Sequence, residues 1–132
     1  MTKDGLAGIY RDYIACLNRR DVAGLDRFVA EAVHYNGVEI GLSGYRSMLE
    51  GDFEAIPDLW FELDLCVADP PHVAARLLFD CTPHGMLFHF PVNGRRVSFS
   101  ENVFYEFRDG KIASVWSVID KAAVAAAVCE GI

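Results

Sequence analysis

Basic residues are scarce in this chain: 12 Lys and Arg stand against 19 Asp and Glu, giving a formal charge of -7 over 132 residues. Nucleic acids and anionic membrane surfaces select basic patches, and the neighbours Arg95 and Arg96 are too few to make one, so neither partner is expected. Cysteine is also sparse. Cys16, Cys66, Cys81 and Cys129 lie far apart with no Cys-x-x-Cys spacing, which leaves zinc and dithiol readings without support and makes buried free thiols the expectation. Walker-type phosphate loops, Gly-x-Gly-x-x-Gly, His-Glu-x-x-His and Gly-x-Ser-x-Gly are all missing, which removes the well-marked nucleotide, zinc-protease and serine-hydrolase classes. No apolar stretch approaches membrane-spanning length, and Met1 to Gly5 leads into an amphipathic pattern rather than an apolar leader, so a cytoplasmic location is expected. Repeats, linkers and low-complexity tracts are lacking too, and the expected organisation is one domain over 1-132.

Aromatic and apolar residues are plentiful. Nine Phe, five Tyr and two Trp within a 52% hydrophobic composition point to a lined cavity, a buried interface between subunits, or both. Leu6, Ile9, Tyr10, Tyr13, Ile14 and Leu17 recur at helical spacing, so Asp4 to about Arg19 reads as an amphipathic helix. Asp21 is placed to cap a second helix carrying Val22, Leu25, Phe28 and Val29, and Ser43 to cap a third carrying Tyr45, Met48, Leu49 and Phe53, ended by Pro57. The period then changes to alternation. Phe61, Leu63, Leu65 and Val67 point one way against Glu62 and Asp64, the turn Asp69-Pro70-Pro71 leads into a return strand over 73–81, a further strand spans about 86–91, and Asn93-Gly94 turns into a long final hairpin. Helices followed by a meandering antiparallel sheet make the fold class α+β.

That hairpin carries the most information about chemistry. Asp109-Gly110 between alternating apolar residues signals a two-residue turn, which pairs Phe107 with Ile112, Tyr105 with Ser114, Val103 with Trp116, Glu101 with Val118 and Phe99 with Asp120. Alternation puts all ten on one face, the core face, while Phe104, Val115 and Ile119 fall among small polar residues on the other, a composition suited to a second subunit. Two carboxylates on an apolar face need a partner or a use, because desolvation disfavours the ionised form. Glu101 is therefore a candidate acid/base, with pairing to Arg95 or Arg96 as its structural alternative. Asp120 is the other, with an N-cap role for the closing Ala-rich segment 121–128 as its alternative. Phe99, Val103, Tyr105, Trp116 and Val118 would line the pocket, joined by Tyr13, Tyr35 and Phe88, and His34 would reach its mouth from the first strand. His84 and His89 lack a nearby third ligand for a metal site, and His72 reads as a solvated turn residue.

The order of elements and several local motifs resemble the SnoaL-like polyketide cyclase and ester cyclase family of the NTF2-like cone fold. Asn18-Arg19-Arg20-Asp21-Val22 with Leu25 and Phe28 is similar to the family's helix-turn-helix opening, and Ala32-Val33-His34-Tyr35-Asn36 to the strand after it. Pro57-Asp58-Leu59 with Phe61, then Pro91-Val92-Asn93-Gly94-Arg95-Arg96-Val97, resemble the entry to the sheet and a later turn; Asp109-Gly110-Lys111-Ile112 followed by Trp116 and Asp120 resembles the closing signature. The chain departs from the pattern at Cys81-Thr82-Pro83-His84-Gly85, where the usual histidine comes one residue late, and at Ser114, where members often carry glutamate. The resemblance implies helices packed on a strongly curved, mainly antiparallel sheet that encloses an apolar pocket, and it implies that Asp120 acts as general acid/base. It also implies a cofactor-free cyclase, or a related lyase or isomerase, acting on a small hydrophobic, polyketide-like carbonyl compound, in a homodimer joined through the outer sheet face. The alternative from another class is a non-catalytic module that binds an apolar small molecule or serves as a dimer scaffold.

Overall fold

In the computed structural model the described residues are 1–130. Helix α1 (Lys3–Asn18) opens on Thr2, whose hydroxyl accepts the Gly5 N–H at 2.9 Å, and it buries Leu6, Tyr10, Tyr13, Ile14 and Leu17 at the spacing of one helical face. Asp21 does organise the next turn, accepting the Gly24 N–H at 3.1 Å and pairing with Arg27 at 3.0 Å. The element it starts is, however, a short 3₁₀ turn, Ala23–Arg27, rather than a full helix. The chain is drawn into the sheet at once: the Phe28 carbonyl accepts the Ile112 N–H at 2.7 Å, and strand β1 (Val29–Tyr35) starts at the next residue. Strand β2 (Val38–Glu39) folds back, and helix α2 (Gly41–Ala55) begins two residues before Ser43, so Ser43 lies within its first turn and the helix has no side-chain cap.

Strands β3 (Glu62–Asp69), β4 (His72–Cys81), β7 (Val97–Arg108) and β8 (Lys111–Ile119) follow, with a small two-stranded ribbon of β5 (Met86–Leu87) and β6 (Phe90–Pro91) between, and helix α3 (Lys121–Glu130) closes the described chain. The main sheet runs β2-β1-β8-β7-β4-β3, antiparallel except where β1 lies parallel to β8. The fold is thus α+β with a six-stranded mixed sheet. Helix α1 lies along β3 and β4, α2 against β1, and α3 against β7. None of the helices among the described residues is long and apolar enough to cross a membrane.

The final hairpin turns as its sequence demands, with Asp109 at φ 53° and Gly110 at φ 77°, and Phe107 faces Ile112. Beyond that pair the register slips. Ala113 is an extra residue in β8, so Glu106 faces Ser114, Tyr105 faces Val115, Phe104 faces Trp116, Val103 faces Ser117 and Glu101 faces Ile119. A bulge of one residue exchanges the faces of everything after it. Strand β7 keeps the alternation expected of it, with Phe99, Val103, Tyr105 and Phe107 buried. On β8 the expectation fails: Val115 is inside, whereas Trp116 and Val118 stand 42% and 65% exposed on the outer face. Strand β3 shows the same device at Asp64. Leu63 faces Leu77 inside, but Leu65 then faces Arg76, leaving Leu65 and Val67 exposed and turning Cys66 inward.

Candidate functional site

Between the inner face of the sheet and α2 lies a cavity of about 200 Å³, lined by Phe61, Phe79, Leu87, Phe88, Phe99 and Ile119 and by two carboxylic acids, Glu101 and Asp52. The rings interlock. Phe79 stacks on Phe99 at 5.1 Å, Phe61 meets Phe79 edge-on at 5.4 Å, and Phe88 meets Phe99 edge-on at 5.6 Å. A smaller chamber of about 60 Å³ continues toward the closed end, walled by Tyr13, Tyr35, Tyr45, Tyr105, Val103 and Val115, and it shares Tyr35, Met48, Phe61, Asp52 and Glu101 with the first. The two acids therefore sit where an apolar compartment meets a phenolic one.

Glu101 reaches this junction because β7 alternates without interruption, and Ser117 reaches it because the Ala113 bulge turned Ser117 inward. Ser117 Oγ donates a short hydrogen bond to Glu101 Oε2. Burial raises the Glu101 carboxyl above the ordinary range; the Ser117 bond pulls the other way and the nearby Asp52 carboxylate adds to the rise. Asp52 follows Tyr45, Met48 and Leu49 on one stripe of α2. As a residue it is open to solvent at the rim, but its carboxyl is taken up into the cavity wall, and that desolvation pushes it up to about 6. Neither carboxyl has an ion-pair partner among the described residues. The pairing of Glu101 with Arg95 or Arg96 does not form: Arg96 holds Asp80 with two bonds, at 2.7 and 2.5 Å, and Arg95 donates to the Val128 carbonyl at 3.1 Å.

The closed end is built from tyrosines. Tyr13 and Tyr45 share a hydroxyl–hydroxyl bond of 2.5 Å, and Tyr10 donates to Tyr105 at 3.1 Å. All four rings are buried, and desolvation holds each phenol above its ordinary value, so they are neutral donors at physiological pH.

The structure thus brings Glu101, Tyr13, Tyr35, Phe88, Phe99, Val103 and Tyr105 to one site and leaves four expected members outside. Trp116 and Val118 line no part of the cavity, because the bulge turned them outward. Asp120 lies beyond the end of β8 and is exposed; its Oδ1 accepts the Ala123 N–H at 3.2 Å, which makes it the N-cap of α3. His34 pairs in register with Glu39 and Ser114 and lines a cleft on another side of the sheet with Glu31, Arg108 and Lys111. Among the described residues no three His, Cys, Asp or Glu side chains are grouped to hold a metal. A larger cleft of about 590 Å³ between α1 and β3, lined by Arg11, Arg19, Trp60 and Asp64, includes neither of these carboxyls, and its own acid, Asp64, is paired with Arg76 at 3.3 Å. Asp52, Ser117 and Tyr45 were absent from the expected site. Asp52 had a signal, an acid seven residues after Tyr45 on the apolar stripe of α2; Ser117 had none, since its facing depends on the bulge.

The model of the SnoaL-like polyketide cyclases matches residues 7–128. A SnoaL-like polyketide cyclase from Agrobacterium tumefaciens superposes with a TM-score of 0.91 at 49% identity, covering 96% of this chain and 98% of that one. TsrD from Streptomyces laurentii (TM-score 0.84, 22% identity, 97% of each chain) and IdmH from Streptomyces antibioticus (TM-score 0.81, 17% identity, 94% of this chain and 98% of that one) share the fold. No curated protein matches the chain.

Proposed function

The chain belongs to the SnoaL-like polyketide cyclase family, and from that premise we propose that it closes a ring in a compact apolar carbonyl substrate by acid/base catalysis, with Glu101 as the acid/base. The observation that carries this reading is the Glu101 carboxyl itself, held by Ser117 in an otherwise aromatic cavity beside a second raised carboxyl. A base that works near neutral pH needs a pKa lifted toward that pH, and desolvation supplies the lift. Glu101 takes the proton from a carbon next to a carbonyl, the C–H electrons move to that carbonyl oxygen, and the resulting enolate carbon bonds to a second carbonyl carbon of the same molecule. The proton on Glu101 then goes to the new alkoxide. Each step uses only the carboxyl and the substrate's own carbonyls, and we assign no cofactor. Asp52 keeps a like charge near Glu101, which favours its protonated form and so raises its strength as a base once ionised.

The main chamber is smaller than the roughly 300–1,000 Å³ of drug-sized sites, which favours a substrate of one or two rings over a larger polycycle. Lyase or isomerase chemistry on the same carbonyl would use the same proton transfer. The N-cap role of Asp120 favours a second reading, a binding module without turnover, because the aspartate that the family resemblance singled out is outside the pocket. The two readings part on Glu101→Gln, assayed on β-keto esters and monocyclic or bicyclic diketones. Turnover by wild type that falls by roughly 10²- to 10⁴-fold in the variant supports the enzyme; equal rates overturn the assignment.

We further propose that the outer sheet face takes a second copy of this chain. Trp116, Phe104, Ala74 and Val67 follow one another across four strands on that face, with Val118 and Leu65 exposed nearby. An exposed apolar row of this extent is suited to a two-fold interface. Sedimentation should give a dimer for wild type and a monomer for Trp116→Glu; a wild-type monomer at micromolar concentration overturns it.

A further inference from the structure

Four tyrosine hydroxyls meet at the closed end of the cone, and they do not satisfy one another. Each hydroxyl has one proton to donate. Two hydrogen bonds join the four, Tyr13 with Tyr45 and Tyr10 to Tyr105, so two of the four protons are used and two are left over. Tyr105 has one of the spare protons, since Tyr10 spends its own on Tyr105; the other belongs to whichever of Tyr13 and Tyr45 is the acceptor. No acceptor for either is found among the described residues. Tyr13, Tyr45 and Tyr105 all line the inner chamber, whereas Tyr10 does not, so the spare protons belong to the three rings that face the empty space. That space of about 60 Å³ is roughly two waters' share of volume, or the room taken by a carbonyl group and little more.

We propose that this tyrosine-walled chamber is an oxygen-anion subsite: Tyr45 with Tyr13, and Tyr105, donate to the substrate oxygen on which negative charge develops when the proton leaves the neighbouring carbon. The inference rests on the proposed acid/base reading, and it sets the orientation of the substrate: carbonyl oxygen deep, acidic C–H at the junction beside Glu101, hydrocarbon body among Phe79, Phe88 and Phe99. Donors fixed in place before the reaction and shielded from water are worth more toward a developing oxyanion than toward a neutral carbonyl. The phenols suit the task because they stay protonated; burial opposes their ionisation and leaves them as donors. Glu101, Asp52 and Tyr35 are the ionisable groups that also line the chamber; burial keeps the Tyr35 phenol protonated, while the two carboxyls, when charged, oppose an anion there.

The test uses 4-nitrophenol, whose anion is coloured and resembles an enolate, against 4-nitroanisole, an ether of nearly the same shape that cannot ionise. Binding is measured by absorbance and calorimetry in wild type and in Glu101→Gln, the latter removing the opposing charge. In Glu101→Gln the bound phenol should be more ionised than the free phenol at the same pH. Adding Tyr13→Phe and Tyr45→Phe together should weaken the anion by roughly 10- to 100-fold, the worth of hydrogen bonds to a charged acceptor, while the ether binds as before. Tyr10→Phe, which leaves the Tyr105 proton in place, should change the anion's affinity little and controls for packing. If the tyrosine variants fail to fold, the phenol–ether comparison in Glu101→Gln still decides. A bound phenol less ionised than the free one, equal affinity for phenol and ether, or no binding of either overturns the subsite. Because these readouts use Glu101→Gln, they are independent of whether Glu101 is the base, which the turnover assay decides.

Discussion

Glu101 and Asp120 lie at the same end of the last hairpin, close enough that the Asp120 N–H donates to the carbonyl of Ser100, the residue before Glu101, at 2.9 Å. Their surroundings are opposite. Glu101 points into aromatic walls, holds a serine hydroxyl and shares its cavity with another acid; Asp120 stands in water and caps a helix. Desolvation favours the protonated form of Glu101, whereas Asp120 spends an oxygen on the first turn of α3. Two carboxylates separated by one step of sheet register thus have different chemistry available to them, and what separates them is which face of the sheet each one meets.

The sharpest way to break this contrast is to remove each acid's ability to exchange a proton without changing its shape. Glu101→Gln should abolish most turnover, by roughly 10²- to 10⁴-fold, and Asp120→Asn should leave both turnover and melting temperature nearly unchanged, since Asn caps about as well as Asp. A loss of turnover in Asp120→Asn would reverse the assignment of roles. The next largest effect compares the aromatic residues of the two faces. Phe99→Ala opens space inside the cavity wall and should cost about 3–5 kcal/mol, while Trp116→Ala, 42% exposed, should cost the monomer clearly less than that range. Denaturant titration of the two variants at a protein concentration where sedimentation shows monomer measures the difference, and equal losses there would mean that Trp116 is packed within the monomer.

Much of this contrast could be read in advance on β7 and little of it on β8. The Asp-Gly turn, the alternation of Phe99 through Phe107 and the inward facing of Glu101 follow from local rules: turn chemistry and a period of two. Helix α1 was legible for the same reason, and the stripe Tyr45, Met48, Leu49 located α2, with Asp52 on it awaiting notice. What local rules do not carry is a bulge. Nothing in Ile112-Ala113-Ser114 or in Leu63-Asp64-Leu65 announces an extra residue, because the need for it comes from strands paired on either side. Strand β8 is hydrogen-bonded to β7 and to β1 together, and the β1 pairing, which also shortened the second helix to a 3₁₀ turn, joins residues about 80 positions apart. Trp116, Val118 and Asp120 were misplaced by that non-local geometry, whereas His34 follows a local rule: between the inward-facing Val33 and Tyr35, alternation turns it to the other face.

Smaller effects sharpen the comparison. Asp120→Ala removes the cap without touching the cavity and should cost about 0.5–2 kcal/mol, recovered in Asp120→Asn; thermal melts of the pair check it. The pH dependence of stability should carry the opposite acid's signature. Asp52 is raised from its ordinary 3.8 to about 6 in the folded chain and Glu101 moves the same way, so across that window the folded chain binds more protons than the unfolded one. Stability from these groups is greatest below the unfolded value and is lost as pH rises through the folded one. Asp52→Asn should therefore be the more stable protein at pH 7, with the advantage fading toward pH 4; an advantage that grows on acidification would contradict the buried-acid description.

The single extra residue at Ala113 has a genetic meaning as well as a geometric one. Loss of one codon there would leave the spelling of Trp116 through Asp120 intact while exchanging inside for outside along the rest of the strand, so that Ser117 would leave the cavity and Trp116 would enter it. Point substitution changes one side chain at a time; a change of one residue in length at this position would rewrite the binding pocket, the exposed face and the serine contact of Glu101 in a single event. Family members whose letters align perfectly through the closing motif can then differ in which of those letters the substrate meets.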